Sequence, residues 1–144
     1  MNPHLFLDTN VLLDFFLARE PHAQACAQIL DQVAKGQWKA SISSVTLTNV
    51  AYILGRLEKR RIIEKDILQL LEILQVVPDT GAMFAEAAEA PMQDFEDAVQ
   101  YVSAIHAECT HFVTSNKRDF RRSRLPVQDP SELLRSLRST SSSR

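Results

Sequence analysis

Short apolar segments alternate with helix-like segments along the whole chain. Four runs resemble β-strands and begin about 35 residues apart, the length of a strand with its crossover helices. They are Leu5–Leu7, Lys39–Ile42, Gln75–Val77 and His111–Thr114. Strands that alternate with helices throughout indicate a parallel sheet covered on both faces. The sequence therefore predicts an α/β protein, a three-layer α/β/α sandwich around a mainly parallel sheet of four to five strands.

Helix-boundary residues lie in the intervals between these runs. Pro21 is expected at the first position of a helix that ends at Gly36. Short polar side chains can accept the first free backbone N–H groups of a helix. The later helices are expected to begin at such residues, namely Ser43 or Ser44, Thr80, Asp94 and Asp129.

Length and composition favour one globular domain. The chain has 144 residues and a net charge of −2, so any nucleic-acid contact must be local. We expect a single domain over residues 1–138 and a flexible Ser-rich tail over 139–144. No apolar run approaches about 18 residues and no signal peptide is evident, which predicts a cytoplasmic protein without a membrane segment.

Acidic and amide side chains follow each predicted strand. They are Asp8 after the first strand, Asn49 one turn into the helix after the second, Asp94, Glu96 and Asp97 after the third, and Asn116 and Asp119 after the fourth. The carboxyl ends of parallel strands share one edge of a sheet, where ligands bind. Carboxylates that converge there repel one another unless a hard cation such as Mg²⁺ or Mn²⁺ lies between them. Such a site is typical of phosphodiester hydrolysis.

Three blocks of sequence resemble the signature blocks of PIN-domain proteins, and the resemblance spans residues 4–137. The blocks are Leu7-Asp8-Thr9-Asn10-Val11-Leu12-Leu13-Asp14, Asp94-Phe95-Glu96-Asp97-Ala98 and Thr114-Ser115-Asn116-Lys117-Arg118-Asp119-Phe120. The resemblance implies a PIN-like α/β/α fold and a metal-dependent ribonuclease that acts on RNA. In bacteria it further implies the toxin of a VapC-like toxin–antitoxin pair, with an antitoxin partner and a homodimer.

The resemblance also implies roles for individual residues. Asp8, Asp97 and Asp119 match the catalytic acids, and Asp8 and Asp97 match the ligands of Mg²⁺ or Mn²⁺. A supporting shell of hydroxyl, amide and carboxyl groups would comprise Thr9, Asn10, Asn49, Asp94, Thr114 and Asn116. Asp94 is also a good helix cap, and this simpler interpretation stays open.

One position departs from the family pattern. Many members have a Glu one turn into the helix after the second strand, where this chain has Asn49. An amide oxygen can bind a cation or position water, but it contributes no negative charge. We therefore expect a weakened metal site.

A basic segment follows the last block. Lys117, Arg118, Arg121 and Arg122 could hold an RNA backbone beside the metal, or an acidic antitoxin segment, or form an ordinary solvated face.

The sequence thus predicts a Mg²⁺- or Mn²⁺-dependent endoribonuclease. The alternative is a catalytically weakened PIN domain that binds RNA or protein without cleavage. A haloacid-dehalogenase-like phosphatase is disfavoured, because that family needs a second Asp where this chain has Asn10.

Overall fold

Five parallel strands form one sheet in the computed structural model, which describes residues 2–92 and 94–142 and, within 139–142, the backbone alone. The strands are β1 (His4–Leu7), β2 (Lys39–Ser43), β3 (Gln75–Val77), β4 (His111–Val113) and β5 (Val127–Gln128). Their order is β3-β2-β1-β4-β5, and each neighbouring pair is parallel. The predicted parallel α/β sheet is confirmed.

Paired helices connect the first four strands. Successive crossovers contain α1 (Thr9–Phe16) and α2 (Ala23–Ala34), then α3 (Ser44–Leu57) and α4 (Ile63–Ile73), then α5 (Gly81–Glu89) and α6 (Phe95–His106). A 3₁₀ turn (Lys117–Phe120) lies between β4 and β5, and α7 (Pro130–Ser142) follows β5.

The predicted caps are largely confirmed. The side chains of Ser43, Thr80 and Asp94 accept N–H groups from the first turns of α3, α5 and α6. Gly36 follows α2 with a φ of 77°, a left-handed conformation that favours glycine. The prediction for Pro21 was wrong. It lies in a turn before α2, closed by a 3.0 Å hydrogen bond from the Ala23 N–H to the Arg19 carbonyl.

The sheet separates two apolar layers, because neighbouring strand side chains point to opposite faces. Leu5 and Leu7 pack on the layer that holds buried side chains of α1, α2, α3, α4 and α7. Phe6 packs on the opposite layer with α5 and α6. Helices therefore cover both faces, as the three-layer prediction requires.

Three phenylalanine rings attach the 3₁₀ turn to the sheet. The ring centroids of Phe6 and Phe112 lie 5.3 Å apart, and those of Phe112 and Phe120 lie 4.4 Å apart. Phe120 is almost completely buried. Its neighbour Asp119 is consequently held near the carboxyl edge of the sheet.

Asp79 ties three elements together at the same edge. Its carboxylate accepts hydrogen bonds from the hydroxyls of Ser43, Ser44 and Ser103, which belong to β2, α3 and α6. Burial alone would raise the pKa of Asp79, but these hydrogen bonds outweigh it and lower the pKa. The start of α3 is thereby fixed relative to α6.

The helices bear on the expectations about a membrane segment and about the C-terminal tail. Within residues 2–92 and 94–142, no helix is long and apolar enough to cross a membrane. The predicted tail over 139–144 overlaps the end of α7, and 143–144 and the side chains of 139–142 lie outside the described residues. The boundary of the tail stays a prediction.

Candidate functional site

The strand order reverses beside β1. The chain runs from β1 to β2 and β3 on one side, and then returns to place β4 on the other side of β1. Such a reversal opens a crevice at the carboxyl ends of the two strands, where α/β proteins bind ligands. Asp8 directly follows β1 and Thr114 directly follows β4, so both residues lie at this crevice.

Asp8 is held rigidly by both strands. Its Oδ1 accepts the Thr9 N–H at 2.8 Å, and its Oδ2 accepts the Thr114 hydroxyl at 2.8 Å. The Asp8 N–H donates to the Val113 carbonyl at 3.0 Å. Burial raises the pKa of Asp8 to about 6, although the hydrogen bonds from the Thr114 hydroxyl and the Thr9 N–H lower it.

The crevice widens into a cavity of about 500 Å³, here called the acidic pocket. Its polar lining residues are Asp8, Thr9, Asn10, Asn49, Tyr52, Asp94, Glu96, Asp97 and Asp119. The structure therefore brings together all three predicted catalytic acids. Of the predicted supporting shell, Thr114 and Asn116 are outside this lining: buried Thr114 donates a hydrogen bond to Asp8, and exposed Asn116 donates one to Asp119.

Asp97 is the most strongly perturbed carboxyl group in the pocket. It lies in the first turn of α6, where its backbone N–H donates a hydrogen bond to Asp94 Oδ1 at 3.0 Å. Partial burial, and then the negative charges of Asp8, Asp94, Asp119 and Glu96, raise the pKa of Asp97 to about 7. The pocket therefore concentrates more negative charge than its surroundings compensate.

The donor set of the acidic pocket suits a hard cation. Its lining offers carboxylate and amide oxygens and contains no His or Cys, which matches Mg²⁺ or Mn²⁺ and not Zn²⁺. Across the described part of the chain, no three His, Cys, Asp or Glu side chains already form a metal-binding group. Mg²⁺ is commonly bound through one or two carboxylates and retained water, so the residues present fit such an ion.

The Thr9 side chain faces the protein interior. The Thr46 hydroxyl donates its single proton to Gln100 Oε1 at 3.0 Å, so it can only accept in its other hydrogen bonds. The Thr9 hydroxyl, 2.9 Å from the Thr46 hydroxyl, is then the donor of that pair. This buried chain joins α1, α3 and α6, and Thr9 reaches Asp8 only through its backbone N–H.

A second cavity of about 920 Å³ adjoins the acidic pocket and is here called the basic cleft. The two cavities share Asp94, Asp97 and Asp119, and the cleft adds Arg118, Arg121 and Arg122 together with Ala90, Pro91 and Met92. Lys117 is placed differently. Its Nζ lies 2.6 Å from Glu132 Oε1 on α7.

Glu96 received no role from the sequence, yet it lines the acidic pocket. Its Oε1 accepts a hydrogen bond from Asn49 Nδ2 at 3.1 Å, which connects α6 with α3. The sequence placed it among the carboxylates that follow the third strand, but no motif gave it a role of its own.

The family of this chain follows from comparison with known protein sequences. The sequence pattern of the PIN domain matches residues 4–118. The chain belongs to the PIN domain family. No curated protein sequence matches it.

Solved structures share the fold. VapBC2 from Rickettsia felis, bound to a promoter DNA fragment, is 18% identical with a TM-score of 0.67 over 88% of this chain and 98% of that chain. A toxin–antitoxin complex from Klebsiella pneumoniae is 20% identical, with a TM-score of 0.64 over 88% and 97%. VapC20 from Mycobacterium tuberculosis, a toxin that cleaves the sarcin-ricin loop, is 16% identical, with a TM-score of 0.60 over 75% and 86%. At these identities the likeness shows the fold.

The raised pKa values predict how stability changes with pH in the absence of metal. Between the unfolded pKa near 3.8 and the folded pKa of about 7, the folded state binds the Asp97 proton more tightly. Ionisation of Asp97 therefore destabilises the fold progressively as pH rises through that window. We expect Asp97→Asn to be more stable than the wild type by roughly 1 kcal/mol at about pH 8 in EDTA, with a smaller gain at about pH 5.

Urea denaturation at both pH values measures this difference. Glu89→Gln, on the exposed end of α5, is the control and should show no such pH dependence. An equal effect of Asp97→Asn at both pH values would contradict the predicted charge repulsion.

Proposed function

We propose that this PIN domain is a Mg²⁺- or Mn²⁺-dependent endoribonuclease. The observation that carries the proposal is the convergence of Asp8, Asp97 and Asp119 in one pocket beside a cleft lined by arginines. A carboxylate pocket attracts a cation, and the adjoining guanidinium groups attract phosphates. Both are needed to place a phosphodiester next to a metal ion.

The pocket residues would have different roles in metal binding. Asp8, fixed by Thr9 and Thr114, and Asp97, at the start of α6, would hold the ion. Asp119, which accepts a hydrogen bond from Asn116, lines the same pocket. A bound Mg²⁺ or Mn²⁺ lowers the pKa of water and neutralises charge on a phosphoryl oxygen.

The basic cleft would hold the RNA backbone. Arg118, Arg121 and Arg122 are exposed and share the cleft with Asp97 and Asp119. Guanidinium groups bind phosphates through paired N–H donors, without a preference for base sequence. An RNA strand in the cleft would therefore pass beside the carboxylates that hold the ion.

The proposed biological role is that of a VapC-like toxin in the cytoplasm. Its support is the fold shared with a toxin–antitoxin complex and with a toxin that cleaves RNA of the sarcin-ricin loop. Exposed apolar side chains on and beside α3 and α4 offer a surface for an antitoxin or a second copy, namely Tyr52, Leu57, Ile62, Leu68 and Leu71. The homodimer rests on the family resemblance.

A second candidate function is RNA or protein binding without cleavage. Asn49 favours it, because this half-buried pocket residue carries no charge. Fewer charged ligands weaken cation binding, and the basic cleft would still bind RNA.

Cleavage of single-stranded RNA with Mn²⁺ tests the main proposal. We expect the wild type to cut, EDTA to stop cleavage, and Asp8→Asn to lower the rate roughly 100-fold or more, because a metal ion supplies several kcal/mol of charge stabilisation. Asp31→Asn removes an exposed carboxylate from α2 and should retain full activity.

The outcomes separate the two functions. Metal-dependent cleavage that survives Asp8→Asn would overturn the assigned site. RNA binding by folded wild-type protein, without cleavage in Mg²⁺ or Mn²⁺, would favour the binding function.

The different placement of Lys117 gives a test of the basic cleft. In EDTA, where RNA stays intact, the Arg121→Gln/Arg122→Gln variant should lose two phosphate contacts. The slope of log affinity against log salt concentration should then shrink by about 1.4 for a single strand. Lys117→Gln should leave the slope almost unchanged, because Glu132 already neutralises that ammonium group. Equal slopes for the wild type and the double-arginine variant would contradict RNA binding in the cleft.

A further inference from the structure

The acidic pocket contains a carboxylate that the sequence left unassigned. Asn49 on α3 and Glu96 on α6 are 47 residues apart in sequence and meet through the 3.1 Å hydrogen bond from Nδ2 to Oε1. Both side chains line the acidic pocket with Asp8 and Asp97. Because Asn49 uses one N–H in this contact, the second oxygen of Glu96 remains available to another partner.

The fold sets this pairing through contacts behind the pocket. Thr46, one turn before Asn49 on α3, donates to Gln100, one turn beyond Glu96 on α6. Asp79 independently joins the start of α3 to Ser103 on α6. The backbones that carry Asn49 and Glu96 are therefore held in register by buried hydrogen bonds.

The electrostatic placement of Glu96 is unfavourable without a cation. It lines the same pocket as Asp8 and Asp97, so its negative charge lies close to theirs. An exposed glutamate in the first turn of a helix is free to turn toward water, yet Asn49 holds this one in a pocket with four other carboxylates. A divalent cation in the pocket converts that repulsion into attraction.

We infer that Glu96 supplies to the metal site the negative charge that Asn49 cannot, and that Asn49 is the positioning residue that holds Glu96 in place. Glu96 would act on the ion directly or by accepting a hydrogen bond from one of its waters. Compared with the family pattern, the negative charge lies on α6 instead of α3. The pocket keeps carboxylates from the end of β1, from α6 and from the 3₁₀ turn. This inference rests on the proposed metal-dependent function.

Titration of the full chain with Mn²⁺ in the absence of RNA tests the inference. The EPR signal of the unbound ion measures how much Mn²⁺ each variant binds. We expect Glu96→Gln to weaken the affinity about tenfold, the lower end of the range seen when groups around a metal site are lost. Asn49→Ala should have a smaller effect, about threefold, because it frees the Glu96 carboxylate without removing it. The Asn49→Ala/Glu96→Gln variant should be no weaker than Glu96→Gln alone, because the amide then has no carboxylate to hold.

Two further variants make the test specific. Glu64→Gln removes a glutamate from the same position of the first turn of α4 and should leave Mn²⁺ affinity unchanged. Asn49→Glu/Glu96→Gln returns the charge to α3 and should recover most of the lost affinity. Thermal unfolding of each variant verifies that it is folded.

The possible results separate this inference from the proposed function. If Asp8→Asn abolishes Mn²⁺ binding but Glu96→Gln behaves like Glu64→Gln, the role of Glu96 is wrong and the metal site stands. Additive losses in the Asn49→Ala/Glu96→Gln variant would overturn the positioning role of Asn49. Wild-type protein that binds no Mn²⁺ would overturn the metal-dependent function and this inference together.

Discussion

The reversal of strand order beside β1 is the constraint on which the rest of the site depends. It places the ends of β1 and β4 side by side, so that the Thr114 hydroxyl reaches Asp8 Oδ2 at 2.8 Å. The phenylalanine contacts continue this arrangement to the 3₁₀ turn and Asp119. The helix caps at Asp94 and Ser43 then begin α6 and α3 at the same edge.

The fold stabilises an arrangement of charges that is unfavourable by itself. Hydrogen bonds from the backbone and from Thr114 offset only part of the burial of Asp8, whose pKa remains raised to about 6. Asp79 shows the opposite balance, since three hydroxyl donors lower its pKa. A carboxylate with sufficient donors holds structure together, whereas carboxylates with too few donors favour a cation. This contrast assigns Asp79 to the architecture and Asp8 and Asp97 to the pocket.

The sequence predicted those features that depend on local chemistry. Strand runs, the caps Ser43, Thr80 and Asp94, and the helix stop at Gly36 follow from neighbouring residues alone, and the structure confirms them. β5 was not individually predicted, because two residues carry no periodicity. The partners of Lys117 and Thr9 depend on contacts with α7 and α3, which no local pattern reveals. The sequence placed Glu96 among the converging acids but gave it no individual role for the same reason, since its contact with Asn49 crosses the pocket.

The most direct test of the central claim is an anomalous difference map from crystals grown with Mn²⁺, recorded on both sides of the manganese absorption edge. We expect a peak in the acidic pocket, in direct contact with carboxylate oxygens of Asp8 and Asp97. An empty pocket at saturating Mn²⁺, or manganese bound only outside it, would contradict a metal-dependent nuclease built on these residues.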